Sequence, residues 1–159
     1  MIRSRVPGFA LTILVFGSVP CRAQSSSIPD QTSFAAFVEV AGNSFLGMTA
    51  NMEWYSTQSM ALRVGAGADF YSQTTVFPIQ AVFLLGPGPN RVEASAGLTI
   101  AQEHSTGDWH WNGTRPFITG FLGYRHQPPK GTLFRIGLMP LMWTNTHVPW
   151  VSVGFGATF

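Results

Sequence analysis

Along residues 149–159, Val151, Val153, Phe155, Ala157 and Phe159 share one parity, while Ser152, Gly154, Gly156 and Thr158 share the other. Successive side chains of a strand point to opposite faces, so this stretch has one apolar face and one small or polar face. The same period recurs along the chain in eight runs, at about 34–42, 46–55, 60–71, 75–85, 91–102, 115–126, 132–143 and 149–159. Glycine, β-branched and aromatic residues fill them, and Pro, Gly, Asn or Ser separate them, which is strand and turn chemistry.

The faces follow run by run. Met48, Ala50, Met52 and Trp54 alternate with Thr49, Asn51, Glu53 and Tyr55. Leu62, Val64, Ala66, Ala68 and Phe70 oppose Arg63, Gly65, Gly67, Asp69 and Tyr71, and Val92, Ala94, Ala96, Leu98 and Ile100 oppose Glu93, Ser95, Gly97 and Thr99. In the seventh run Phe134, Ile136 and Leu138 oppose Arg135 and Gly137. The fourth run is apolar on both sides apart from Gln80, and the sixth has no clear register.

The charges Glu39, Glu53, Arg63, Asp69, Glu93 and Arg135 all fall opposite the apolar face; with Arg125 they form the expected interior polar network. A turn centred near Gln58 makes Glu53 and Arg63 cross-strand neighbours of opposite charge, a favourable pair. Arg135 is then balanced by Glu39 or Glu93 across the interior. A soluble sandwich or lipocalin-like barrel has its apolar face inside and plentiful Lys and Glu outside. Here the bulky aliphatic face is continuous and the charged face is too glycine-rich to line a broad ligand cavity. A basic side chain facing lipid at the midplane costs roughly 2–4 kcal/mol, so charges inside and lipid outside is the consistent arrangement. Runs of about 9–12 residues suit tilted strands crossing a bilayer. The pattern predicts an all-β protein, an eight-stranded antiparallel up-and-down transmembrane β-barrel over 34–159.

The N-terminus sharpens this. Arg3 and Arg5 precede a short apolar run ending in small residues at Cys21 and Ala23, the layout of a secretory signal peptide over 1–23. A polar periplasmic leader, 24–33, is expected to follow. Beyond Ala23 six basic residues stand against seven acidic ones, so no basic patch argues for nucleic acid. The single cysteine leaves with the signal, removing both a disulfide and a cysteine nucleophile. Charged residues make up 10% of the chain, against about a quarter in an ordinary soluble domain.

Connections and aromatics give the orientation. STQS, GPGPN and QPPKG are short and turn-like, while the stretch near EHSTGDWHWNGT is the longest and lies at the other end. Short periplasmic turns and longer outer loops are the habit of outer-membrane barrels, so both termini are expected in the periplasm. Trp54, Tyr124, Phe134 and Phe159 fall towards the periplasmic rim, and Phe70, Tyr71, Phe77, Trp143 and Trp150 towards the outer rim, as two aromatic girdles.

The terminal strand, with Val151, Val153, Phe155 and the final Phe159, resembles the C-terminal recognition signal that the barrel-assembly machinery reads in bacterial outer-membrane barrels. PFITGFLGYRHQPPKGTLFRIGLMPL followed by PWVSVGFGATF resembles the closing strands of small, largely uncharacterised outer-membrane β-barrel proteins of Gram-negative, Bacteroidetes-type bacteria. The resemblance covers most of the mature chain in pattern, with its sharp motifs in the last third. It implies a signal peptide, an eight-stranded barrel and a place in the cell outer membrane, with no catalytic residues to carry over; a monomer in contact with outer-membrane lipids and lipopolysaccharide is expected.

Candidate chemistry is sparse. Glu103, His104, Ser105 and Asp108 are the best set for a lipid A-modifying hydrolase, but adjacent His104 and Ser105 point to opposite faces of an extended strand. His104, Asp108 and His110 match no standard zinc or calcium spacing. Asn112, Gly113 and Thr114 form a glycosylation tripeptide without meaning in this setting. No catalytic, metal or cofactor site is expected. Eight strands enclose an interior that side chains just fill, so a packed polar interior with a structural or surface-contact role is expected, against the alternatives of an enzyme, a narrow channel or a periplasmic lipocalin-like barrel.

Overall fold

The computed structural model describes residues 33–44, 47–70, 73–103, 113–143 and 146–159. The expected signal segment and leader, and most of the longest connection, lie outside them. Eight strands follow in order: β1 Phe34–Val40, β2 Gly47–Thr57, β3 Met60–Asp69, β4 Thr74–Leu85, β5 Asn90–Glu103, β6 Gly113–His126, β7 Gly131–Trp143 and β8 Thr146–Thr158. Each pairs antiparallel with its sequence neighbour, and β1 pairs with β8, giving a closed up-and-down barrel. The closing seam runs from Ala35 opposite Thr158 to Val40 opposite Val153. Phe159 extends it, its N–H donating to the Phe34 carbonyl at 2.9 Å.

The alternation in the sequence becomes an inside and an outside. Met48, Met52, Leu62, Leu98, Leu122, Leu138, Val151 and Phe155 point outward and are exposed, Leu122 at 61%. β4 and β6, ambiguous by pattern, acquire a register from their neighbours. Val76, Gln80, Val82 and Leu84 of β4 are buried while Phe77, Ile79 and Phe83 are exposed; on β6 Thr119, Phe121 and Arg125 are buried while Ile118, Leu122 and Tyr124 are exposed. Both faces of β4 are apolar because Val82 and Leu84 belong to an internal floor. At the end of the barrel that carries the termini, Ala35, Phe37 and Leu133 form one buried cluster and Ala61, Val82 and Leu84 another, and Tyr55 packs against both.

Aromatic rings inside so narrow a barrel need glycines opposite them. Gly123 and Gly137 face each other across β6 and β7. A Cβ on Gly137 would lie 2.7 Å from Phe121 Cζ and 2.5 Å from the Leu122 carbonyl oxygen. Phe37 likewise lies across β8, its Cβ 2.3 Å from where a Gly156 Cβ would sit and its ring Cδ2 3.2 Å from a Gly154 Cβ. The small residues thus make room for large ones lying flat against the wall, a packing that covers the bare backbone.

Gly137→Val is expected to overpack this layer and to lower the unfolding free energy by roughly 1–3 kcal/mol. Gly113→Ala, where a Cβ meets nothing within 4 Å, should leave it unchanged; chemical denaturation of the two variants beside the parent checks both.

Candidate functional site

The interior charges are contributed by six strands at nearly one level. Glu53 on β2 lies directly across from Arg63 on β3, because the chain turns tightly between Thr57 and Met60 with a bulge between Tyr55 and Thr57. Arg63 Nε donates to Glu53 Oε1 at 2.7 Å, its Nη2 reaches Glu93 Oε1 at 2.5 Å, and its Nη1 donates to Gln80 Oε1 at 3.0 Å. Arg125 enters from β6 and bridges the same two carboxylates, 2.6 Å to Glu53 Oε2 and 3.0 Å to Glu93 Oε2. Arg135 on β7 stands 2.8 Å from Glu39 Oε2 on β1 and 3.0 Å from Glu93 Oε1. All six side chains are fully buried.

Three guanidinium groups and three carboxylates make this cluster neutral. Such neutrality matters because a buried unpaired charge costs several kcal/mol, while paired charges recover much of that through short hydrogen bonds. Phe37 fills the centre. Its ring has Arg63, Arg125 and Arg135 guanidinium carbons 5.1, 5.9 and 5.2 Å from the centroid, and Arg135 also stacks 3.7 Å from the Phe121 centroid. The rings give the arginines a second favourable neighbour where carboxylates run out. Asp69, at the far end of β3, is buried too but stands apart from this six-charge cluster.

Several participants carry no charge and escaped the sequence reading. Tyr55 donates its hydroxyl to Glu53 and also lies 3.2 Å from Gln127 Oε1, tying the cluster to the turn after β6. Gln80, the one polar residue between Val76 and Leu85 of β4, accepts from Arg63 and from Ser95 Oγ, and donates to Thr119 Oγ1 and Asn43 Oδ1. Its isolation in an apolar run was the available signal. Asn43 gave none, since AGNS reads as ordinary turn chemistry. In the structure β1 stops at Val40 rather than near residue 42, and Gly42, Asn43 and Ser44 fold into the barrel and are buried.

The aromatic positions divide. Trp54, Phe70, Phe77 and Tyr124 are exposed on the outer face; Trp54 and Tyr124 lie at the termini end with Phe155 and Phe159, and Phe70 and Phe77 at the opposite end. Phe34 contacts both Trp54 and Phe159, at 5.6 and 6.0 Å between centroids. Trp150, expected in the outer girdle, instead shares the inward parity of Ser152, Gly154 and Thr158, and its Nε1 is buried. Its neighbours in the alternating strand dictate this: a residue two before an inward Ser152 must also face inward. Tyr71 and the Trp143 side chain lie outside the described residues, as do the His104, Ser105, Asp108 and His110 set and the Glu103 side chain. Val151 and Phe155 are exposed on the outer wall and Val153 is half-buried there.

No protein-family model matches the chain, and no curated protein does. Among solved structures, it is similar to the N-terminal β-barrel domain of Pseudomonas aeruginosa OprF, with a TM-score of 0.63 and 14% sequence identity over 81% of this chain and 98% of that one. That likeness defines the fold class, a small closed eight-stranded antiparallel barrel.

Glu53 accepts from Arg63, Arg125 and Tyr55, so Glu53→Ala is expected to destabilise the barrel by about 3–5 kcal/mol, leaving Arg63 and Arg125 under-neutralised. Tyr55→Phe, which removes a hydroxyl shared among Glu53, Arg125 and Gln127 but no charge, should cost less, about 1–2 kcal/mol. Equilibrium unfolding of both variants tests the ranking.

Proposed function

We propose that the chain is an integral outer-membrane β-barrel protein, monomeric, with its termini and short turns in the periplasm and its longer connections outside. Its role on this reading is structural or one of surface contact through the outer loops, and not catalytic. The observation that carries the reading is the inversion of the usual soluble plan: large apolar side chains are exposed on every strand, from Val38 and Met52 round to Ile136 and Phe155, while Glu39, Glu53, Arg63, Glu93, Arg125 and Arg135 are buried. An apolar surface that encircles a protein is unstable in water and needs a cover; the hydrocarbon layer of a bilayer is the cover that matches a closed barrel, which leaves no unpaired strand edge. Lipids and lipopolysaccharide are then the immediate partners. Trp54, Phe77 and Tyr124, exposed on the outer wall near strand ends, serve as interfacial anchors. Val151, Val153, Phe155 and Phe159 serve as the signal for the barrel-assembly machinery, and the filled interior favours a sealed barrel over a conduit.

Leu122→Arg separates the membrane reading from a soluble barrel. On a lipid-facing wall the arginine is expected to cost roughly 2–4 kcal/mol and to reduce the fraction of protein that runs as the fast, unboiled species on a detergent gel. A water-soluble barrel would accept the same change at little cost and would fold without detergent, which contradicts the proposal. In cells, deletion of Phe159 is expected to lower the amount of assembled barrel while leaving refolding in detergent intact; equal effects on both would argue against an assembly signal.

A further inference from the structure

The barrel's ionic cluster accounts for the level of Glu53 and Arg63, but it does not account for the inward fold of the first connection. A polar connection between two strands ordinarily runs over the surface, where water satisfies its backbone. Here Asn43 and Ser44 are 2% and 1% exposed. Ala41 takes a positive φ of 53° and its N–H donates to the Gly47 carbonyl at 3.1 Å, closing the base of the fold. Asn43 is seated on two arms. Its backbone N–H donates to Glu39 Oε1 at 3.1 Å, and its side-chain oxygen accepts from Gln80 Nε2 at 3.2 Å and Thr99 Oγ1 at 3.3 Å. Glu39 and Gln80 are themselves held from below, by Arg135 and Arg63. Gly42 completes the fit, since a Cβ there would lie 1.4 Å from Glu39 Oε1; any larger residue would push the carboxylate off its seat.

We propose that Gly42–Ser44 form an internal stopper that closes the outer half of the lumen, and that Glu39 and Gln80 are the positioning residues that seat it on the ionic cluster. The proposal rests on the membrane-barrel reading only for which end of the lumen faces outward. Two seals then lie in series: neutral hydrogen bonds around Asn43, and the charged layer beneath. Because Asn43 is reached through Arg135–Glu39 and through Arg63–Gln80, loosening the charged layer also loosens the stopper.

The test is thiol accessibility in the full chain carrying Cys21→Ser. Ser44→Cys is a near-isosteric probe at a hydroxyl with no hydrogen-bond partner among the described residues, and Gln73→Cys, exposed beyond the same end of the barrel, is the reference. A charged, membrane-impermeant methanethiosulfonate reagent is added to refolded protein whose unboiled fast migration has first been verified. A buried group reacts only through local opening, so Ser44→Cys is expected to react at least about tenfold more slowly than Gln73→Cys. Adding Asn43→Ala, which removes the side-chain arm to Gln80 and Thr99 and replaces no charged residue, should bring the two rates to within a few-fold; Glu39→Gln, which weakens the backbone arm, should do so in part. Equal rates at Ser44→Cys and Gln73→Cys in fast-migrating protein would overturn the stopper. Slow labelling of Ser44→Cys that Asn43→Ala leaves unchanged would overturn the seating by Asn43. Failure of the membrane reading would appear separately, as protein that folds without detergent and shows no difference between boiled and unboiled samples.

Discussion

An arginine inside a barrel of eight strands has nowhere to put its charge except onto a carboxylate from another wall. The lumen is only as wide as two or three side chains, and removing an ion from water costs more than any single contact returns. Three arginines and three glutamates therefore have to arrive at one level from β1, β2, β3, β5, β6 and β7, and this requirement propagates outward. It pins the register of every pair that contributes, since a slip by one residue would turn a charge to the outer wall. It also dictates where glycine must stand, because the long side chains lie flat and Phe37 occupies the space between them.

That coupling explains why so much of the fold was legible. Alternation alone located eight runs within a few residues of the observed strands, and the placement of Glu53 ten residues before Arg63 pointed to a tight turn that brings them together at 2.6 Å. Opposite charges that share the small-residue face carry information about partners as well as about faces. Arg135 meets both Glu39 and Glu93 for the same reason, each being the carboxylate nearest its own level.

What escaped the pattern did so for physical reasons. β4 buries Val82 and Leu84 on one face and exposes Ile79 and Phe83 on the other, so its periodicity vanishes although its register is firm. Trp150 looked like an interfacial ring by its chemistry, yet its parity with Ser152 turns it inward, and parity is the stronger constraint in an extended chain. The inward fold of Gly42–Ser44 has no local signature, since its hydrogen-bond partners, Gln80 and Thr99, are far along the sequence and only barrel closure brings them close. Neutral polar residues are the hardest to read in this way: unlike charges, they are at home both in a loop and in a packed interior.

Which leucines face oil outside the barrel and which face the protein's own interior distinguishes a membrane barrel from a soluble one. The direct measurement is nuclear Overhauser contact between leucine methyl groups and the alkyl chains of a detergent micelle, with the protein refolded and its methyls selectively labelled. Leu62, Leu98, Leu122 and Leu138, exposed on the outer wall, are predicted to show strong contacts to the alkyl chains, while Leu84 and Leu133, 2% and 0% exposed inside, show none. Strong contacts from Leu84 and Leu133, or water contacts in place of alkyl ones along Leu62, Leu98, Leu122 and Leu138, would contradict the membrane barrel.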